Sequence, residues 1–478
     1  MTMRRLLRWS FVAILGAACL GVQPGSARAE TLADALASAY VNSGLLEQNR
    51  ALLRAADEDV AQSVANLRPI IEWTADVTRE FSRAGSQAGT QTGVNGLTRN
   101  SGETSANLGI VGSLLLYDFG RRDFLTEAAK ETVLATREVL RGVEQDVLLT
   151  AVQAYMDVIR NREFVLLRRN NLRLLEEELR AASDRFEVGE VTRTDVAQAE
   201  AAVALAQSGL ATAEGDFERA VEEFREAVGR APGDLRTPGD LPQPRSDVAA
   251  AKAAAVRRHP AVLEAQRNVT VAELNMQAAA AAKLPTLNLT GRLGTTNDLA
   301  DSEFSRSGSV GLELRGSIYE GGRLTSLERQ AQAQRDQRLA QLQLAGLQVK
   351  QDVGNAFANL RAARARREAN REAVRAARVA FEGTREEVKL GARTTLDVLD
   401  AEQELLDAEA NLISANADVV IAAYAVLASM GNLTVRDLNL GVQTYDPAVY
   451  YDLVKTAPVP ISPEGKKLDR VLRALGKN

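Results

Sequence analysis

Hydrophobic positions along this chain follow two periods, and the switch between them happens twice. Ile71, Trp73, Ala75, Val77 and Phe81 alternate with Glu72, Thr74, Asp76, Thr78 and Glu80. Leu108, Ile110, Leu114 and Leu116 alternate mainly with Asn107, Gly109, Ser113 and Tyr117. The pattern returns at Leu287, Leu289 and Leu293, set against Thr286, Asn288, Thr290 and Arg292. It returns again at Val310, Leu312, Leu314 and Ile318, set against Gly311, Glu313, Arg315 and Ser317. A period of two predicts β-strands with one apolar and one polar face. Runs of about 10–13 such residues suit the strands of a transmembrane barrel. A soluble antiparallel sheet with one wet face would carry the same alternation. The polar stretches inside the pairs, about Arg83 to Glu103 and Thr295 to Ser307, predict long hairpin loops of the extracellular kind.

After each strand pair the apolar period becomes seven. Ala151, Val158, Val165, Leu172, Leu179 and Phe186 form one series. Leu339, Gly346, Val353, Leu360, Val374, Phe381 and Val388 form the other, with Arg367 in one place. A seven-residue period predicts packing along a coiled-coil seam. No proline falls between Tyr117 and Gly189 or between Tyr319 and Gly391. An unbroken helix of about 70 residues is allowed in each copy, roughly 105 Å long at ~1.5 Å per residue.

The two switches are copies of one unit. Tyr117-Asp118-Phe119-Gly120-Arg121 matches Tyr319-Glu320-Gly321-Gly322-Arg323, 202 positions later. At the same shift, Gly189-Glu190-Val191-Thr192-Arg193-Thr194-Asp195-Val196 matches Gly391-Ala392-Arg393-Thr394-Thr395-Leu396-Asp397-Val398, and Gly229 matches Gly431. Leu67-Arg68-Pro69 and Lys283-Leu284-Pro285 open the two strand pairs, so the first hairpin is the longer one. The Pro/Gly-rich stretch from Ala231-Pro232-Gly233 through Pro238, Pro242 and Pro244 breaks any helix and separates the copies. A short helix before each hairpin and a return helix after each tip turn would together run antiparallel to the long helix. Four strands cannot close a barrel, which needs about eight. The chain is therefore expected to oligomerise, and three copies would supply twelve strands.

Composition and charge narrow the function. The chain is rich in Ala, Gln, Glu and Arg, and aromatics are 4%. This suits long helices better than a compact core. Net charge is -5, which is no basic footprint for nucleic acid. Arg4, Arg5 and Arg8, the apolar run Phe11 to Val22, and Ala27-Arg28-Ala29 read as a secretory signal over residues 1–29. The only cysteine, Cys19, falls inside it, so no disulfide is expected. Gly16-Ala17-Ala18-Cys19 loosely matches a lipoprotein cleavage site, although the usual Leu three positions before the Cys is missing. No later segment offers ~18 consecutive apolar residues for a spanning helix. A membrane crossing would then require a closed barrel.

The duplication, the junctions at Pro69 and Pro285, and the two Gly-x-x-T-x-x-D-V turns resemble the TolC family of outer-membrane efflux and secretion ducts. The resemblance covers the chain from about residue 30 to about residue 450. It implies a mainly α fold with a β-barrel portion: a long α-helical coiled-coil barrel plus four transmembrane strands per chain, closing as a twelve-stranded trimer. It implies a homotrimer in outer-membrane lipid that reaches into the periplasm. There a periplasmic adaptor would join it to an inner-membrane pump, either ABC-type or proton-driven. The chain then divides into a signal peptide (1–29) and a first repeat (30–229). That repeat holds a short helix, β-hairpin 69–117, long helix 120–188 and return helix 194–229. An equatorial linker (230–250) leads to the second repeat (251–431), with hairpin 285–319, long helix 322–390 and return helix 395–430. An equatorial segment and flexible tail follow (432–478).

The resemblance also assigns residues. Asp397 and Asp400 would form acidic rings at the closed end of the tunnel. Thr394-x-x-Asp397 and Thr192-x-x-Asp195 read equally well as capping boxes at helix starts. Asp400, whose counterpart in the first repeat is Gln198, owes less to that alternative. Arg393 would pair with Thr194 and Asp195 on a neighbouring hairpin as a gate link. Val388 stands where the family places a Tyr, so one gate bond is expected to be missing. Gly189 and Gly391, with Thr192 and Thr394, are expected to shape the periplasmic tip turns. His259, the only histidine, precedes Pro260 and reads as surface. No nucleophile elbow, P-loop or metal-ligand cluster occurs, so no enzyme activity, cofactor or metal is expected. A weaker similarity to members serving type I protein secretion lies in Tyr445-Asp446-Pro447 with Tyr450 and Tyr451. A periplasmic coiled-coil adaptor and a long adhesin are the alternatives; the first lacks two hairpins of transmembrane-type strands, and the second would not need acidic tip turns.

Overall fold

A computed structural model describes residues 30–85, 98–239, 242, 247–299 and 303–474. The expected signal peptide and Cys19 lie outside the described residues, as do the centre of the first hairpin loop and part of the linker. The first repeat comprises α1 (Leu32–Asn42), α2 (Gly44–Ala65), β1 (Ile70–Gly85), β2 (Thr98–Tyr117), α3 (Arg121–Glu187) and α4 (Arg193–Val228). The second comprises α5 (Val248–Arg258), α6 (Pro260–Ala281), β3 (Thr286–Asp298), β4 (Phe304–Arg315), α7 (Arg323–Lys389) and α8 (Thr395–Ser429). Two short helices follow, α9 (Pro447–Val454) and α10 (Pro463–Ala474).

The long helices α3 and α7 each run 67 residues without a break. Each starts after a left-handed glycine, Gly120 (φ 82°) or Gly322 (φ 84°), at the strand-to-helix junction. The heptad seams are covered: in α7 every seam position from Leu339 to Val388 is buried or half-buried, Arg367 included. In α3 only Phe186, beside the tip, is exposed. The core sits at mid-length. There Leu36 and Leu46 pack with Leu148, Val152 and Tyr155 of α3, Phe224 and Val228 of α4, and Leu433. A second cluster joins α5 to Val349, Val353 and Leu360 of α7 and to Ala423 and Val426 of α8. The helix α8 is long and apolar enough to cross a membrane by length and composition. Its apolar positions instead cover α3 and α7.

Four expectations need correction. The single short helix before each hairpin is two helices, broken at Ser43 and at His259. Each break residue caps the next helix: Ser43 Oγ accepts from the Leu46 amide and His259 Nδ1 from the Ala261 amide. His259 is thus a half-buried cap rather than plain surface, and burial pushes its pKa down. The strand ladders also run into the expected loops, pairing Gly85 with Thr98 and Asn297 with Phe304. Lastly, the expected flexible tail carries α10, whose Leu468 and Leu472 pack on Ala61, Tyr450 and Val454. A Leu pair four apart, offered an apolar surface, is enough to order a short helix.

The linker is pinned as well. The Glu30 amide donates to the Asp234 carbonyl at 2.8 Å, and Glu30 pairs with Arg230 at 2.6 Å. The buried Tyr155 hydroxyl donates to the Glu30 and Arg236 carbonyls at 2.9 and 2.6 Å. Glu30 and Leu235 thus form an isolated parallel β-bridge, which satisfies backbone groups that a Pro-rich segment cannot place in a helix.

The four strands form one antiparallel sheet in the order β1-β2-β3-β4. Its register puts Trp73 opposite Ile110, Ile110 opposite Leu293, Leu289 opposite Leu312, and Leu287 opposite Leu314. The period-two pattern therefore merges into one continuous apolar face. That face is open: Ile71 is 75%, Trp73 76% and Val310 82% exposed. On the opposite face Asn107 bridges Asp76 (2.8 Å) and Thr296 (2.7 Å) across three strands.

Candidate functional site

The end of the molecule remote from the sheet is built from the two tip turns. α3 ends at Glu187, and Gly189 turns the chain with φ 83°; α7 ends at Lys389, and Gly391 does so with φ 74°. A left-handed turn is open to glycine and costs any other residue about 1–2 kcal/mol. The return helices then start with identical caps. The Thr192 hydroxyl accepts from the Asp195 amide, and the Asp195 carboxylate accepts from the Thr192 amide at 2.8 Å and hydroxyl at 2.7 Å. Thr394 and Asp397 repeat these bonds at the same distances. Those bonds hold both carboxyls below the ordinary range. For Asp195 the Thr192 hydroxyl contributes most; for Asp397 the Thr394 amide does, with Arg393 adding a smaller pull.

The two turns face one cleft of about 950 Å³. Thr192 and Asp195 line one wall; Gly391, Arg393 and Thr394 line the other. The expected gate link is not made within the chain. The Arg393 Nε donates to Glu387 at 3.0 Å, and Arg393 stands 3.9 Å from Asp397, so its charge is met on its own hairpin. Thr194 is exposed. Val388 lines the cleft and offers no hydroxyl where the family's Tyr would. Asp400 is exposed one turn along α8, with no side-chain bond or ion pair among the described residues.

Residues 35–230 and 253–432 match the family model "Outer membrane efflux protein". The chain belongs to the outer membrane efflux protein family. It is 36% identical over 436 residues to the outer membrane efflux protein BepC of Brucella suis, covering 90% of this chain and 91% of that one. Against the outer membrane protein TolC of Escherichia coli it is 27% identical over 431 residues, covering 86% and 84%. Its backbone superposes on a crystal structure of a membrane protein from Pseudomonas aeruginosa with a TM-score of 0.71 at 23% identity, covering 84% of this chain and 93% of that one. As a family member it is an outer-membrane channel protein whose helical portion extends into the periplasm.

In this family member, a further tip residue escaped the sequence reading. Glu402, on α8, is 3% exposed. One carboxylate oxygen accepts from the Asn171 amide of α3 at 2.7 Å, and the other has no partner. Burial pushes its pKa up to about 7, and nearby Glu178 adds to the rise. Glu178 is itself tied to Arg385 of α7 at 3.0 Å. Together with Leu399 packed on the cluster of Leu175, Val203 and Ala206, these contacts fasten the two hairpins to each other. The sequence did carry a signal: Glu402 continues the covered series Thr395, Val398, Glu402, Leu406 on one face of α8. An acid within such a series is buried unless its helix is free.

Proposed function

We propose that three copies of this chain form a passive duct through which an efflux or type I secretion system discharges across the outer membrane. The observation carrying this is the sheet. Its apolar face is uncovered, and among the described residues β1 pairs only with β2 and β4 only with β3. An unpaired strand edge inside lipid would leave backbone donors and acceptors without partners, at several kcal/mol each. A second and third copy satisfy both edges and close twelve strands. The helices then continue the barrel as a tunnel, and a periplasmic adaptor couples its tips to an inner-membrane pump. An adaptor protein would have no use for the lipid-type face, so that alternative leaves the sheet unexplained.

The tips are the gate in this reading. Asp397 and Asp400 ring the narrow end, where carboxylates gathered round a threefold axis draw cations and repel anions. In closing, Arg393 exchanges Glu387 for Thr194 and Asp195 across the cleft; in opening, the adaptor and pump draw the hairpins apart. The test is conductance of the purified protein in planar bilayers, with its mass in detergent. A conducting trimer is expected. A monomer, or a trimer without conductance, would overturn the reading.

A further inference from the structure

We propose that residues 456–474 form a peripheral lipid anchor, an apolar wedge beside a basic helix face resting on the anionic phospholipid headgroups of the membrane's periplasmic leaflet. The inference rests on the reading that lipid covers the apolar face of the sheet. It assigns a contact to a segment beyond both repeats and beyond the family match, which ends at residue 432.

The position of the segment carries the argument. From mid-length, α2 leads to the sheet, and α9 lies along it with the Tyr450 hydroxyl donating to Glu58 at 2.6 Å. The chain then reaches the sheet's rim. Arg68 donates to the Ala457 carbonyl at 2.8 Å and also to that of Thr456. Arg68 lies two residues before Ile70, where β1 begins, and Ile71 opens the apolar face. Residues 456 and 457 are therefore clamped where the helices end and the lipid-type surface starts.

The conformation beyond the clamp is a built one. Ala457 adopts a left-handed φ of 45°. Val459 folds over Gly465 so closely that a Cβ at 465 would collide with its carbonyl oxygen. The Gly465 amide donates to the Ser462 hydroxyl at 3.0 Å. The helix α10 turns Leu468 and Leu472 inward onto α2 and α9. Exposed there are Val459, Pro460 and Ile461, the last at 84%, and, beside Glu464, the side chains of Lys466, Lys467, Arg470 and Arg473. Glu464 and Asp469 are the only acids in the segment, on a chain whose overall charge is -5.

Exposed apolar groups flanked by cations are the chemistry of an interfacial segment. The apolar tips enter the headgroup boundary and the cations meet lipid phosphates. Continuity with the apolar face of the sheet selects a bilayer over a protein partner. A neighbouring protein would have to displace lipid already present at that level.

The only cysteine is Cys19, so single-site labelling is direct in a Cys19→Ser background. Full-length protein carrying a fluorophore at Ile461→Cys is placed in vesicles of phosphatidylethanolamine with phosphatidylglycerol. Quenching by lipid-borne nitroxide is compared with quenching by aqueous acrylamide. At 461 we expect severalfold stronger lipid quenching than at Leu390→Cys on the tip. It weakens in phosphatidylcholine vesicles, in high salt, and in the Lys466→Glu, Lys467→Glu, Arg470→Glu variant. Free access of acrylamide with no lipid quenching would overturn the proposal. So would protection from both quenchers, which would mean that protein covers the wedge. A label at Val77→Cys, on the apolar face, reports separately: no lipid quenching there removes the reading of the sheet itself.

Discussion

The two tips are copies of one turn, yet the same residue lives differently in them. Glu200 and Glu402 stand 202 positions apart at equivalent places in the repeats. On α4, Glu200 is exposed; on α8, Glu402 is buried against Asn171 with one oxygen unpartnered. Duplication copied the residue without its surroundings. The helix α8 lies against α3 and α4 as well as its own partner α7, so its faces are covered where those of α4 are open. The difference teaches that the first hairpin is held by the second at the tip, through a carboxyl that charges near neutrality.

The largest expected effect tests that carboxyl directly. A folded pKa of about 7 against the usual 4.5 means that the fold favours the protonated form. The stabilisation is complete below about pH 4.5 and is lost as pH rises through about 7. Across that window the junction loosens by at most about 3.5 kcal/mol, since one unit is worth ~1.4 kcal/mol. Glu402→Gln should hold the low-pH stability at pH 8, while Glu200→Gln should change the melt by no more than about 0.5 kcal/mol. Thermal unfolding followed by circular dichroism at pH 5.5 and 8 reads both. Equal responses of the two variants would erase the contrast between the copies.

Next in size are the turn glycines. A Cβ at Gly189 or at Gly391 would meet no atom within 4 Å. Each Gly→Ala change therefore costs only the left-handed backbone, about 1–2 kcal/mol, and equally in both tips. Unequal losses in the same melting assay would mean that a neighbouring copy crowds one tip. Below these come the caps. Thr192→Ala and Thr394→Ala each remove a matched pair of bonds, at about 1 kcal/mol. The two hydroxyls hold their aspartates at the same distances, so helix content should fall alike in the two variants. A loss confined to one would show that the caps are not equivalent.

Much of this was legible in the sequence because it is local. The alternation at Ile71–Phe81 needs only a period, and the register then merged its apolar residues into one face. The capping boxes are spelled out in Thr192-x-x-Asp195 and Thr394-x-x-Asp397. What could not be read depends on a partner surface. The helix α10 is ordered by Tyr450 and Val454, and the clamp at Ala457 by Arg68, residues far from it in the chain. The Arg393 to Asp195 link, inferred from resemblance, met a nearer acid in Glu387. Glu402 and Glu200 occupy equivalent places in the two copies, and only packing tells which is covered.

The smallest effect on stability separates the two acids of the second tip. The Asp397 carboxylate is occupied with Thr394, whereas Asp400 makes no bond among the described residues. Asp400→Asn should therefore leave the melt within about 0.5 kcal/mol of the parent. Its charge still acts at a distance. If Asp400 faces the tunnel axis, three copies place three carboxylates there, and their removal lowers the preference for cations over anions in bilayer recordings. The Debye length falls from about 10 Å at 0.1 M salt to about 3 Å at 1 M. The difference between parent and variant should therefore shrink as potassium chloride is raised. Asp397→Asn should lower selectivity and, slightly, stability, because it keeps an acceptor oxygen for Thr394 but loses the charge that strengthens those bonds. Were Asp400→Asn to lower stability and leave selectivity untouched, Asp400 would be a structural residue and the ring would rest on Asp397 alone.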